Sequence, residues 1–319
     1  MILASGLLTQ FIHIALVLVA APFVTGLIRW TKARLLGRFG QSPFQPWRDL
    51  MRLARKQPVL AENASFVFRR APVVIFVTTA AAALLIPSFA LGMITGPAAD
   101  LLVIAGLLTW ARCILALAGM DIGTAFGGIG ASREMAYAAF TEPALLLVFF
   151  TVAFIAGTTN LDLLVELLRD DSARLRVSLG LALIATAAVA IAENGRIPVD
   201  NPATHLELTM VHEAMLLEYS GRNLALLDLA AALKLLLWFN MLGAIYLPFG
   251  FAPPGLHLLD WIIGIAAWAA KLIGLSMAVA GLEISLAKMR VFRVPEFLGI
   301  AVLLGLLALI FLFVSQGMV

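Results

Sequence analysis

Apolar residues run along this chain in eight continuous stretches, near 7–29, 72–91, 98–118, 141–159, 175–193, 223–247, 258–284 and 295–315. Each is about the length of roughly 20 apolar residues that a helix needs to cross a bilayer. The stretches do not alternate apolar with polar positions, which argues against membrane strands. They predict an all-α integral membrane protein of about eight transmembrane helices. No basic segment precedes the first stretch, so residues 7–28 read as a retained helix and not as a cleaved leader. We find no internal repeat, low-complexity tract or linker, so residues 1–319 read as a single helical membrane domain.

Charge then sets the orientation. The connection between the first two spans holds ten basic residues, Arg29, Lys32, Arg34, Arg38, Arg48, Arg52, Arg55, Lys56, Arg69 and Arg70. Arg112 and Arg133 lie around the third connection, Arg196 and Arg222 in the fifth, and Lys288, Arg290 and Arg293 in the seventh. The second and sixth have none, and the fourth mixes Arg169, Arg174 and Arg176 with four acids. Odd-numbered connections therefore face the cytoplasm, at 30–70, 119–140, 194–222 and 285–294, and both termini face the other side.

Composition narrows the class. The chain is 62% hydrophobic and 13% charged, with a mean hydropathy of +1.01. Soluble domains have about 45–50% apolar and about 25% charged residues, so lipid is the solvent for most of this chain. A net charge of +3, spread over short connections, is membrane topology and not a nucleic-acid surface. The lone Cys113 allows no internal disulfide and no cysteine-based metal site.

The first long connection contains an amphipathic segment. Trp47, Leu50, Met51 and Ala54 fall on one helical face of residues 46–56, and Arg48, Arg52 and Arg55 on another. Pro46 suits a first helical position. Such a surface helix either anchors to lipid or docks a soluble partner. The preceding stretch, residues 37–46, is marked by glycine and proline as a turn.

The remaining charges are the functional candidates. An ionisable side chain at membrane depth costs several kcal/mol and is functional by default. Glu142 opens the fourth span, Glu193 ends the fifth, Asp228 and Lys234 lie in the sixth, and Lys271 and Glu283 in the seventh. Lys234 and Lys271 sit too deep to reach an interface easily, so they should face the bundle interior. The fifth connection is the densest site, running from Glu193 through Arg196, Asp200, His205, Glu207, His212 and Glu213 to Glu218 and Tyr219. Asn201 and Pro202 predict a helix start, with Glu207, Val211, Ala214 and Glu218 on one stripe. The histidine spacing lacks the i, i+4 pair of a zinc helix. No nucleophile elbow or Cys–His pair is present, so no catalytic residue is assigned. A metal site, a structural network and a chain of proton-passing groups are all compatible with these residue types; the last needs only such a succession of carboxylates and histidines.

The stretch 193–219 resembles the cytoplasmic loop of the H-type (subunit 1) membrane protein of respiratory complex I. Glu193, Arg196, Pro198, Asp200, Glu207, Glu218 and Tyr219 match that loop. The form Asn201-Pro202-Ala203-Thr204-His205-Leu206-Glu207-Leu208-Thr209 is more similar to the corresponding subunit of group 4 membrane-bound NiFe hydrogenases, of the hydrogenase-4 and formate hydrogenlyase type. Arg133, Glu142 and the first-loop residues Arg38, Gln45, Pro46 and Asp49 also match. Ala203 and His205 stand where complex I has carboxylates beside its quinone chamber, which favours the hydrogenase branch.

The resemblance implies a non-catalytic membrane-anchor and proton-coupling subunit that binds no cofactor itself. Its partners would be cytoplasmic large and small subunits carrying iron–sulfur clusters and a NiFe-type centre, together with antiporter-like membrane subunits and lipid. The complex would lie in a bacterial or archaeal cytoplasmic membrane. Arg38, Gln45, Trp47, Arg48, Asp49, Arg52 and Arg55 would dock partners. Glu142, Glu193, Asp200, Glu207, Glu213, Glu218, Lys234, Lys271, His205 and His212 would pass protons, with Arg133, Arg196 and Tyr219 as structural or gating residues. The alternatives are the quinone-site subunit of a complex I-type oxidoreductase and a free-standing ion transporter.

Overall fold

The computed structural model describes residues 2–169, 177–200, 210–255 and 258–317. The helices among them are α1 (Ile2–Leu35), α2 (Gln45–Ala54), α3 (Phe66–Leu85), α4 (Leu101–Asp121), α5 (Ala125–Ala156), α6 (Leu161–Leu168), α7 (Val177–Glu193), α8 (Gly221–Ile245), α9 (Leu258–Ser285) and α10 (Val294–Gly317). Seven of these are long and apolar enough to cross a membrane, and α7 is a shorter apolar helix. Seven of the eight predicted spans thus have a helix of bilayer length and the fifth has the shorter α7, and the protein is an all-α, multi-pass integral membrane protein. Residues 201–209, and with them His205 and Glu207, lie outside the described residues.

Local sequence sets where the helices start. Ser65 caps α3 by accepting from the Val67 N–H. Asp100 caps α4 through the Leu102 N–H at 2.7 Å, and Thr124 caps α5 through that of Gly127. Each such side chain satisfies one of the donors that a helix N-terminus leaves unpaired. Gly157, in the left-handed region at φ 69°, ends α5.

Helix α8 is the central post, with 67% of its apolar window buried inside the protein against 28% for α9 and α10. It packs on α1, α2 and α3, while α5 packs on α4, α7 and α10. Small residues let these helices approach. A Cβ on Gly127 would overlap the Gly119 carbonyl across the α4–α5 hairpin, and one on Gly26 would overlap the Pro43 carbonyl ahead of α2. Close backbone approach at small residues is the usual basis of helix packing in lipid, where no hydrophobic force pulls helices together. At one end of the bundle the connections after α3 and α8 fold onto each other. Leu91 N–H donates to Ala252 O at 3.1 Å, and Ala252 N–H to Phe89 O at 2.8 Å.

Three expectations change. The stretch 119–140 is helical over most of its length, because α5 begins at Ala125 and the turn is confined to residues 122–124. Its many Gly and Ala residues and its three charges, Asp121, Arg133 and Glu134, lower the local hydropathy without breaking the helix. Residues 210–220 do not continue a helix from Asn201; they form a bend, a single 3-10 turn at Glu213–Met215 and an irregular exit. Helix α2 turns Pro46, Asp49 and Leu50 inward, whereas Met51 is half exposed. Trp47 is held by its indole N–H, which donates to Val19 O of α1 at 3.1 Å.

A buried ionic cluster as candidate functional site

Five helices and one loop converge on Arg112. It sits midway along α4 with a buried side chain, only 5% exposed. Its guanidinium faces Glu193, the last residue of α7, in a close ion pair. It also reaches Glu142 of α5 at 3.1 Å and Glu134 of α5 at 3.6 Å. The Thr141 hydroxyl accepts from the same Nη1 at 3.2 Å. Lys234 of α8 places Nζ 3.0 Å from the second oxygen of Glu193. Arg112 is therefore not an orientation charge of the third connection but the centre of an ionic network. Helix α5 supplies two acids because Glu134 and Glu142 lie eight residues apart on one continuous face. Sequence reasoning passed over Glu134, since its segment read as loop.

The cluster opens towards the 210–220 loop through small cavities. One of about 40 Å³, between α3, α4, α5 and α8, is lined by Arg112, Glu134, His212 and Lys234. A narrow one of about 10 Å³ is lined by Glu134, Glu193, Asp200 and His212. The largest of the three, about 260 Å³, lies under α2 and is lined by Arg29, Asp49, Arg196, Asp200, His212, Glu213 and Asp228. His212 is common to all three. One water needs roughly 10–15 Å³ of such space and two to four polar partners, and each cavity offers both. Burial lowers the pKa of His212 from 6.5, partly offset by Glu134, which keeps its imidazole neutral near pH 7. A neutral imidazole can accept a proton at one nitrogen while releasing one at the other.

The loop is tied down at both ends. Arg133 donates to Met210 O at 3.0 Å. Asp200 accepts from the Val211 N–H at 3.3 Å and from Lys288 at 2.6 Å. Arg196 pairs with Glu283 at 3.2 Å, and Lys32 reaches the other oxygen of that carboxylate at 3.1 Å. Tyr219 stacks on Phe68, with ring centroids 4.0 Å apart, and donates its hydroxyl to Phe68 O at 3.0 Å. Burial raises the Tyr219 pKa, so the hydroxyl remains a donor.

The structure thus brings Glu142, Glu193, Lys234, His212, Asp200 and Glu213 into one connected region. It leaves Glu218 exposed on the loop surface. Lys271 lies apart, with Nζ over the rings of Phe249 and Phe251 at 4.7 and 4.2 Å and directed at Gly243 O at 3.4 Å. Of the predicted docking residues, Arg38, Arg48, Arg52 and Arg55 are exposed. Gln45 instead donates to Asp49 at 3.0 Å, and Asp49 lines the 260 Å³ cavity.

Comparison with known proteins agrees with this geometry. The chain is 32% identical over 287 residues to formate hydrogenlyase subunit 4 of Escherichia coli, covering 88% of this chain and 91% of that one. It is 32% identical to hydrogenase-4 component C of the same organism, covering 74% of this chain and 73% of that one. It is 27% identical to the H-type subunit of NADH-quinone oxidoreductase from Rickettsia typhi, covering 84% and 78%. Its fold matches a chain in the structure of the membrane-bound sulfane sulfur reductase, an archaeal respiratory membrane complex, with a TM-score of 0.84 at 19% identity over 96% of this chain and 99% of that one. The NADH dehydrogenase family profile matches residues 8–315, and the chain belongs to that family, the subunit 1 or H-type membrane proteins of complex I.

Proposed function

We propose that this protein is the membrane-anchor and proton-coupling subunit of a complex I-related assembly of the hydrogenase-4 and formate hydrogenlyase type. The observation that carries this reading is the convergence of Arg112 and Lys234 on Glu193, joined by cavities to the cytoplasmic loop. Three carboxylates, Glu134, Glu142 and Glu193, face two cations. Such a succession of carboxylates and cations can hand on a proton. That proton enters from the loop side past Asp200 and His212. Movement of the loop by a partner alters the pairing and sends the proton on through the membrane arm.

The exposed arginines of α2 and loop 194–222 form the platform for cytoplasmic subunits. These carry the iron–sulfur clusters and a NiFe-type centre, and antiporter-like subunits neighbour the bundle in lipid. Under this reading the membrane is a bacterial or archaeal cytoplasmic one, with both termini outside. The identity to the two Escherichia coli hydrogenase components, above that to the Rickettsia protein, supports the hydrogenase branch.

A second reading, a quinone-site subunit, is favoured by the 260 Å³ cavity under α2, which combines apolar walls with Asp228 and His212. Affinity purification of the full chain from its native membrane separates the two. A copurifying large subunit with four metal-ligating cysteines supports the hydrogenase branch. The same subunit lacking them, together with quinone bound beside α2, supports the second.

A further inference from the structure

Between α7, α8 and α9 lies an apolar groove of about 330 Å³, walled by Ala187 and Ile191, Trp238 and Leu242, and Ala278 and Leu282. Along α8 its lining runs from Leu235 to Leu247. At 1.5 Å per residue that is roughly 18 Å, more than half of the roughly 30 Å hydrocarbon thickness. The far end is bounded by the hydroxyls of Thr186 and Tyr246, hydrogen-bonded at 2.7 Å. Its flanks face the bilayer, with Leu183 40% and Leu282 43% exposed.

Such a space does not stay empty in a membrane, because wall atoms facing a void lose their dispersion contacts. Water is no substitute, since it needs two to four polar partners and these walls are almost wholly hydrocarbon. A lipid chain entering sideways meets both requirements. The cytoplasmic mouth is marked by Asn194 and Arg196. There Arg196 and Lys32 share the single carboxylate of Glu283, at 3.2 and 3.1 Å, so these three side chains carry one positive charge more than negative.

We propose that this groove is a binding site for one anionic phospholipid, with an acyl chain against Trp238 and the headgroup phosphate at Arg196. The apolar groove is a different space from the cavities around Glu193, meeting the 260 Å³ one only at Asn194, Arg196 and Leu235, and lipid binding there does not depend on the coupling role.

The full-length chain, purified in mild detergent and exchanged into nanodiscs of mixed phosphatidylglycerol and phosphatidylcholine, tests this by native mass spectrometry. One retained lipid is expected, with phosphatidylglycerol preferred about fivefold, the effect of one excess charge at the surface. Arg196→Gln keeps the lipid and abolishes the preference. Ala278→Phe fills the groove and loses the lipid while the unfolding temperature holds; if that variant fails to fold, Ala187→Leu makes the same comparison with a smaller side chain. Equal retention in the filled and native proteins overturns the proposal. So does parity of the two lipids on the native chain, or an isoprenoid quinone in place of phospholipid in the organic extract.

Discussion

Lys234 Nζ lies 3.0 Å from one oxygen of Glu193, and the Arg112 guanidinium takes the other. One carboxylate therefore holds two cations from different helices, α4 and α8. The two cations are not equivalent, because Arg112 also serves Glu134 and Glu142.

Removing Arg112 should be the more damaging change. Arg112→Leu leaves three carboxylates close together with only Lys234 for company. Breaking a buried pair by deleting one partner costs about 3–5 kcal/mol. Lys234→Met leaves Glu193 with Arg112 and should cost less. Thermal unfolding in detergent reads the order, and equal losses for the two variants would remove Arg112 from the centre of the network.

His212 makes stability depend on pH. Burial places its folded pKa below 6.5, so the unfolded chain binds the proton more readily and stability rises with pH. The contribution is complete above about pH 7 and is lost as pH falls through 6.5 towards the lower folded value. His212→Gln should therefore flatten the acid limb of a stability–pH curve between about pH 7 and pH 5. Superimposable curves for the two proteins would show that His212 is not buried as a neutral ring.

Glu134 and Glu218 should behave oppositely. Glu134 borders both small cavities and Arg112, whereas Glu218 is exposed. In inside-out vesicles of the intact complex, Glu134→Gln should slow proton translocation severalfold. Glu218→Gln should leave it within experimental scatter, and a reversal of that order would mean the path leaves by the loop surface.

Lys271 is a lysine under two aromatic rings, remote from the acids described above. A desolvated cation–π contact is worth about 2 kcal/mol. Lys271→Met should lower the unfolding temperature modestly and leave translocation intact. Lost translocation with unchanged stability would restore Lys271 to the proton path.

The spans were legible because an apolar run of bilayer length has few other uses, and the acids Glu142 and Glu193 stood out against it. The N-terminal half of α5 was not legible. Its residues Gly127, Gly130 and Ala131 pack by smallness, and Arg133 and Glu134 turn inward to partners that the local sequence cannot display. Arg112 was hidden for the same reason: a single basic residue counted with the connection that follows it looks like topology until the fold places it midway along α4 among three acids. The inward tilt of Asp49 likewise depends on α8 and α1, not on the amphipathic pattern of α2.

Glu193→Gln in the intact complex tests the coupling role most directly. Proton translocation and electron transfer to or from a soluble dye are measured on the same membranes. Translocation should be abolished while dye activity stays largely intact, because under the proposed function the redox centres lie in other subunits. Undiminished translocation in Glu193→Gln would contradict the account.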